Sequence, residues 1–194
     1  MMTTNSKPDE NQLGLMESTK MLQSLINKLL VYLEINKHID WEKEQVSIGT
    51  LWQKVVELSS KEFVENRVVV YGKELVADIR IDVAKTAQAL ADILDNALIY
   101  SAPDKKVEVR ILIDNHELVI AITDFGYGIP VKEQDKVFSE FFRATNASLG
   151  KNVGSGVSLY IAKKIINEDG GSVTFQSTEN QGSTFRIKLP IAKS

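Results

Sequence analysis

Residues 106–114 alternate in polarity. Val107, Val109, Ile111 and Ile113 fall on one face, and Glu108 and Arg110 on the other. Residues 118–123 repeat the pattern with Leu118, Ile120 and Ile122, and Asn115-His116 supplies the turn. Successive strand side chains point to opposite faces, so the spacing predicts a hairpin with one apolar side. That side needs a covering layer, which limits the chain to a sheet with helices packed against it. His116, at the hairpin tip, reads as a solvated turn residue.

The surrounding segments supply such a layer. Residues 47–63 carry an apolar helical face of Ile48, Leu51, Trp52, Val55, Val56, Leu58 and Phe63. Two short strands follow at 67–71 and 77–81, with Gly72 between them. Asp82 is placed to cap a helix over 83–100, which Ser101-Ala102-Pro103-Asp104 stops. A helix over 154–168 is entered through glycines and ended by Asp169-Gly170-Gly171. A last hairpin pairs 173–177 with 184–189, with Phe185, Ile187 and Leu189 inward and Arg186 and Lys188 outward. The fold class is α+β: a two-layer α/β sandwich with a mixed, mostly antiparallel sheet and helices on one face.

An amphipathic helix precedes it. Leu15, Thr19, Leu22, Ile26, Leu29, Leu33 and Asn36 recur alternately four and three apart, a heptad seam that Leu25 and Tyr32 widen. Two readings fit: a helix lying on its own domain, or one helix of a dimeric bundle whose partner comes from another chain. The expected limits are a flexible polar start at 1–11, helix and linker at 12–45, and the main domain at 46–194.

Composition removes several kinds of chemistry. The 194 residues include no cysteine, which excludes disulfides, thiolate metal sites and a cysteine nucleophile. The two histidines, His38 and His116, are far apart, which argues against a histidine metal centre. A net charge of −3 gives no field for nucleic acid. No apolar run reaches the ~20 residues of a membrane span and no signal-peptide pattern opens the chain. The expectation is a soluble cytoplasmic chain, with a membrane reached only through a parent protein.

Four segments have chemical potential. Asp92 and Asn96 are four apart, so they share a helical face, as do Asn96 and Tyr100. An Asp and an Asn presented together suit a hard cation such as Mg²⁺. Asp124-Phe125-Gly126-Tyr127-Gly128-Ile129 follows a strand, where a carboxylate can accept from an exocyclic amine and glycines admit a close approach. Residues 150–156, GKNVGSG, run into a helix, and amides at such a start bind anions. They fit neither a P-loop nor a dinucleotide fingerprint. Gly182-Ser183-Thr184-Phe185 brings hydroxyls into a strand.

In this order the segments resemble the ATP-binding catalytic domain of sensor histidine kinases, in the superfamily of gyrase, heat-shock chaperone and mismatch-repair ATPases. The resemblance covers residues 46–190. Its motifs are an asparagine box DILDNALIYS, a glycine box DFGYGIP, a phenylalanine box KVFSEFFRA and a second glycine box GSGVSLYIAKKI. The phenylalanine box separates histidine kinases from their superfamily relatives. MESTKMLQSLINKLLVYLEI also looks like the second helix of the family's dimerisation domain.

The resemblance implies a Bergerat-type ATP-binding fold, with ATP and Mg²⁺ as cofactors. Asn96 would coordinate Mg²⁺. Asp124 would accept the adenine amine, with Gly126, Gly128 and Ile129 as the wall beside the base and Tyr100 near base or ribose. Ser183, with Thr184 as second choice, would place a hydroxyl near adenine. Residues 131–153 would form a lid anchored by Phe138, Phe141 and Phe142, with Arg143 available to a phosphate. Gly154, Gly156 and Leu159 would meet the triphosphate at the helix start. The implied partners are ATP, a phosphoacceptor-histidine domain, a response regulator, and a second copy bound through the N-terminal helix; no nucleic acid is implied.

The sequence departs from the family in four places. The phosphoacceptor histidine followed by an acid is absent, since neither His38 nor His116 fits, so autophosphorylation by this chain alone is not expected. Asp92 stands where the kinases have asparagine and hydrolytic relatives a glutamate base. It is therefore either a second oxygen near Mg²⁺ or a weak base, and no other catalytic residue stands out. Ile99 replaces a basic residue, and Val157 and Ser158 replace the leucine and glycine of GxGLGL. The changes at Ile99 and Ser158 leave a runner-up function, a degenerate nucleotide-sensing or dimerisation module. A serine kinase or hydrolytic ATPase is a third.

Overall fold

The computed structural model describes residues 15, 19, 22, 23, 26, 28–34, 41–59, 66–72, 75–149 and 155–192. The chain divides into two compact units, 1–39 and 40–194. In the first, every described residue is helical. Leu15, Leu22, Ile26, Leu29 and Leu33 of the heptad seam are exposed on this unit, while Leu25, Asn36 and His38 lie outside the described residues. Among the described residues no helix is long and apolar enough to cross a membrane.

The second unit runs β1 (Glu44–Ser47), α1 (Ile48–Leu58), β2 (Val68–Tyr71), β3 (Asp78–Ile81), α2 (Val83–Tyr100), β4 (Val107–Asp114), β5 (Glu117–Thr123), α3 (Ser158–Glu168), β6 (Ser172–Thr178) and β7 (Gly182–Pro190). Two 3-10 turns, Val131–Lys136 and Thr145–Leu149, lie between β5 and α3. The main sheet has the order β2-β4-β5-β7-β6. The β2–β4 pair is parallel and the others antiparallel. Its inner face buries Val107, Val109 and Ile111 of β4, Leu118, Ile120 and Ile122 of β5, and Phe185, Ile187 and Leu189 of β7. The helices cover that face, with α2 against both α1 and α3. The layering is the α+β sandwich that the alternation demands. Ile113, inward by parity, is exposed, although Leu118 opposite it is buried.

Local chemistry sets the boundaries. Ser47 caps α1 by accepting from Thr50 N at 3.1 Å. Asp82 caps α2 by accepting from Lys85 N at 3.1 Å. Asn115 (φ 49°) and His116 (φ 64°) are both left-handed, as a two-residue hairpin turn of the primed type requires. The helix expected over 47–63 ends at Leu58, and Phe63 lies outside the described residues.

The stretches at 67–71 and 77–81 belong to different sheets: β2 lies parallel to β4, while β3 pairs with β1 in a separate two-stranded sheet. The segment before α1 has a single apolar residue, Val46, so its sequence reads as a connector. It becomes a strand because Val46 sits opposite Ile79 in register. The third helix begins at Ser158 rather than 154; Gly156 (φ 74°) is left-handed and cannot sit in a right-handed helical turn.

Candidate functional site

A cavity opens at the C-terminal half of α2. One face of α2 gives it Asn96, Ala97 and Tyr100. The loop after β5 gives Asp124, Tyr127, Gly128 and Ile129. The segment holding the 3-10 turns adds Val137, Phe142, Arg143, Ala144, Asn146 and Ala147. Gly156, Ser158 and Leu159 come from the start of α3, and Ser183 and Phe185 from β7. The walls are largely apolar, with Asn96, Asp124, Arg143, Asn146, Ser158 and Ser183 setting polar groups among them. Such a surface suits a planar apolar body with polar substituents.

Asp124 is the most perturbed of these groups. It is only 5% exposed. Burial pushes its carboxyl up to about 6, against the opposing pull of hydrogen bonds from Gly126 and Ser183. Gly126 N donates to its Oδ1 at 3.0 Å, and Asp124 N donates to Ser183 O at 2.9 Å. A buried carboxylate so held is an acceptor for an amine. Asn96 offers a neutral amide oxygen, a hard donor that a cation already bearing other oxygens can use. The guanidinium of Arg143 matches a phosphate. Among the described residues no group of three His, Cys, Asp or Glu could hold a metal by itself.

The loop carrying Asp124 is held on three sides. Ile129 N donates to Ser177 Oγ at 2.8 Å, Asn146 Nδ2 donates to Gly128 O at 3.0 Å, and Asn180 N donates to Tyr127 O at 2.7 Å. Gly128 (φ 62°) lies against β6, where a Cβ would stand 2.1 Å from Thr178 O. A side chain there would have to displace a strand. The space that glycine leaves is filled by the protein itself, so this glycine builds the wall.

Most of the residues chosen from sequence meet here. Asn96, Tyr100, Asp124, Gly128, Ile129, Phe142, Arg143, Gly156, Leu159 and Ser183 all line the cavity. Gly126 is behind the lining, where it holds Asp124 and bridges to Ser101. Thr184, the second choice beside Ser183, does not line the cavity. Strand alternation turns it to the opposite face, where its hydroxyl meets Thr123 Oγ1 at 3.0 Å. Asp92 is buried outside the lining and accepts from Gln88 Nε2 at 3.1 Å. Gly154 lies outside the described residues. Ser158 lines the cavity, whereas Ile99 is 40% exposed away from it.

The aromatic residues of the phenylalanine box separate. Phe138 packs edge-on to Phe175 and Phe185 at 5.7 and 6.4 Å, with Lys163 Nζ 4.6 Å from its ring centroid. Phe142 lines the cavity. Phe141 anchors nothing: it is 62% exposed, with φ 59°. The sequence reading missed Asn146, Gln134, Ser177 and Arg67. Asn146 and Gln134 lie in a stretch without periodicity, and Ser177 looks like any half-exposed strand serine.

Comparisons with known proteins follow the same lines. The profile of the family described as "Histidine kinase-, DNA gyrase B-, and HSP90-like ATPase" matches residues 81–193. The signal transduction histidine-protein kinase ArlS of Staphylococcus aureus (strain USA300) is 40% identical over 94 residues, 48% of this chain and 21% of that protein. The chain thus spans about a fifth of the length of the curated relatives it matches. The mycobacterial sensor histidine kinase MprB superposes with a TM-score of 0.62 at 26% identity, over 79% of this chain and 100% of that one. Full-length ShkA, solved in complex with AMPPNP, superposes with a TM-score of 0.76 at 24% identity, over 98% of this chain and 41% of that one, and shares the fold.

Proposed function

The chain belongs to the family of histidine kinase-, DNA gyrase B- and HSP90-like ATPases and carries the ATP-binding catalytic domain of a sensor histidine kinase; from this premise we propose that its cavity presents Mg-ATP for phosphoryl transfer to a histidine on another domain. The observation that carries the reading is the buried Asp124 carboxylate, held as an acceptor at one point of an apolar cavity that also carries Asn96 and Arg143.

Each residue has a physical task in this reading. Asp124 accepts the exocyclic amine of adenine, and Ser183 places a hydroxyl beside it. Ile129, Tyr100, Phe142 and Leu159 exclude water from the base. Gly126 and Gly128 hold the wall in place. Arg143 meets a phosphate, and the backbone at Gly156 lies where α3 begins. Asn96 holds Mg²⁺, which neutralises charge on the phosphates when bound. Asp92 reaches this site only as a supporting oxygen behind Asn96. Fixed position and field at the γ-phosphate, rather than covalent chemistry, are what this chain contributes to transfer. The acceptor is not His116, whose turn is exposed and outside the cavity lining. A phosphoacceptor domain and a response regulator are the partners, and the exposed leucine seam of the first unit pairs with a second copy. The domain works on the cytoplasmic side.

Ser158 favours a second reading, a weakly binding nucleotide sensor, because its side chain lines the cavity where the family has glycine. Calorimetry separates the two. Mg²⁺-dependent ATP binding that Asn96→Ala and Asp124→Asn each abolish, together with labelled phosphate reaching a supplied phosphoacceptor domain, is the result expected for the kinase. Binding without transfer supports the sensor. No binding in the millimolar range removes both.

A further inference from the structure

We propose that Asn146 is a positioning residue that latches one wall of the cavity in place, and that it thereby sets how long a nucleotide stays bound. This rests on the reading of the cavity as a nucleotide site.

The wall is the segment 131–149, from which Phe142, Arg143, Ala144, Asn146 and Ala147 line the cavity. Its regular structure amounts to two short 3-10 turns, Val131–Lys136 and Thr145–Leu149. Turns of that length do not hold themselves, so tertiary ties decide where they sit. Three side chains supply such ties. Gln134, in the first turn, donates from Nε2 to Ile129 O at 3.0 Å and to Ser177 O at 3.1 Å, which fixes that turn to the loop after β5 and to strand β6. Its neighbour Glu133 accepts from Thr145 N at 2.9 Å, so the first turn carries the start of the second. Asn146 then donates from Nδ2 to Gly128 O at 3.0 Å and returns the second turn to the loop.

The ties close a ring that runs from the loop to the first turn, to the second turn, and back to the loop. The direction of each is fixed. Both amide side chains face backbone carbonyl oxygens, which only accept, and the Glu133 carboxylate faces a backbone N–H, which only donates. Gly128 is a firm anchor, because its backbone is pressed against Thr178 of β6. The Asn146 tie is part-buried and the Glu133 tie is exposed, so water competes less for the first, and the latch rests mainly on Asn146. A base seated against Gly128 and Ile129 has the second turn beside it. Loss of the Asn146 donor favours the arrangement with that turn swung away, which speeds release and does not slow entry.

The test is stopped-flow binding of a fluorescent ATP analogue with Mg²⁺ to the full chain, with release read by a chase of unlabelled ATP and melting curves for each variant. Asn146→Ala and Asn146→Asp are each expected to speed release about tenfold without slowing association. Glu133→Ala should act in the same direction and less strongly, and Glu133→Gln, which keeps an oxygen for Thr145 N, should release as wild type does. The double variant Asn146→Ala with Glu133→Ala should release no faster than Asn146→Ala, because both ties hold one turn. Wild-type release in Asn146→Asp overturns the proposal, since aspartate fills the same volume without the donor. So does a loss of affinity carried by slower association, the mark of a misshapen cavity, or effects of the two positions that multiply. If Asn146→Ala does not melt as wild type does, Asn146→Asp and Glu133→Ala decide by the same criteria. Wild type that does not bind the analogue overturns the nucleotide reading and this proposal with it. Wild type that binds it, with release unmoved at position 146, overturns this proposal alone.

Discussion

Gly126 lies so close to Tyr100 that a Cβ on the glycine would stand 1.9 Å from the tyrosine carbonyl oxygen. The contact joins the last residue of α2 to the loop carrying Asp124, and a backbone bridge between Ser101 and Gly126 continues it. Gly126→Ala must push α2 and that loop apart. The expected cost is about 2–4 kcal/mol of stability with loss of nucleotide binding, read from chemical melts and calorimetry.

Asp124 makes stability and binding respond to pH in opposite senses. Its folded pKa is raised from 3.8 to about 6, so the folded chain takes up this proton at higher pH than the unfolded chain. The group's contribution is most favourable below about pH 4. It falls as pH rises to 6 and stays low above that, by about 3 kcal/mol as an order of magnitude. Nucleotide affinity should rise through pH 6, because the ionised form is the better acceptor. Asp124→Asn is expected to raise the melting temperature above pH 6 and to have no such effect near pH 4. Melting curves and ATP titrations between pH 4 and 8 read both.

Arg67 closes the end of α2. Its Nη1 donates to Leu98 O at 3.1 Å, and its Nη2 to Ala102 O at 2.9 Å and Lys105 O at 3.1 Å. A cation here satisfies Leu98 O in the last turn of the helix, ties it to the loop that follows, and opposes the negative end of the helix dipole. Arg67→Ala should cost about 2–4 kcal/mol in denaturant melts. Arg67→Lys should recover only part of that, since an ammonium cannot span three carbonyls with the geometry of a planar fork.

Lys43 ties the segment before β1 to the far end of α3. Its Nζ donates to Glu168 O and lies 3.5 Å from Asp169 Oδ1. Asp169 is buried, which raises its pKa, and it accepts from Thr86 Oγ1 and from Asp82 N. Lys43→Met leaves that carboxylate without its cation, so the Asp169 pKa should climb further. The penalty, about 1–2 kcal/mol, is then expected at neutral and alkaline pH. It should shrink as acid protonates Asp169, whose pKa burial raises. Melts at pH 8 and over a falling acid series distinguish this from a loss of packing alone, which would be equal throughout.

The site was largely legible because its residues sit in short segments with local signatures. A helical spacing of four puts Asn96 and Tyr100 on one face, and a strand end followed by glycines marks Asp124. Strand parity, applied strictly, would have turned Thr184 away from Ser183. The order of these segments was enough to identify the family.

By itself the sequence determined everything that depends on near neighbours along the chain. That includes the half-buried hairpin of β4 and β5, the cap at Asp82, the turn at Asn115-His116, and most of the residues meant for the cavity. The tertiary structure alone decided what depends on a distant partner. Glu44–Ser47 is a strand because Ile79 lies across from Val46. β2 runs parallel to β4 rather than beside β3. Ser177, Gln134 and Arg67 matter through groups that folding brings to them. Side-chain periodicity reports which face of an element is buried, whereas a hydrogen bond needs two groups in register. For residues far apart in sequence, only the packed chain sets that register.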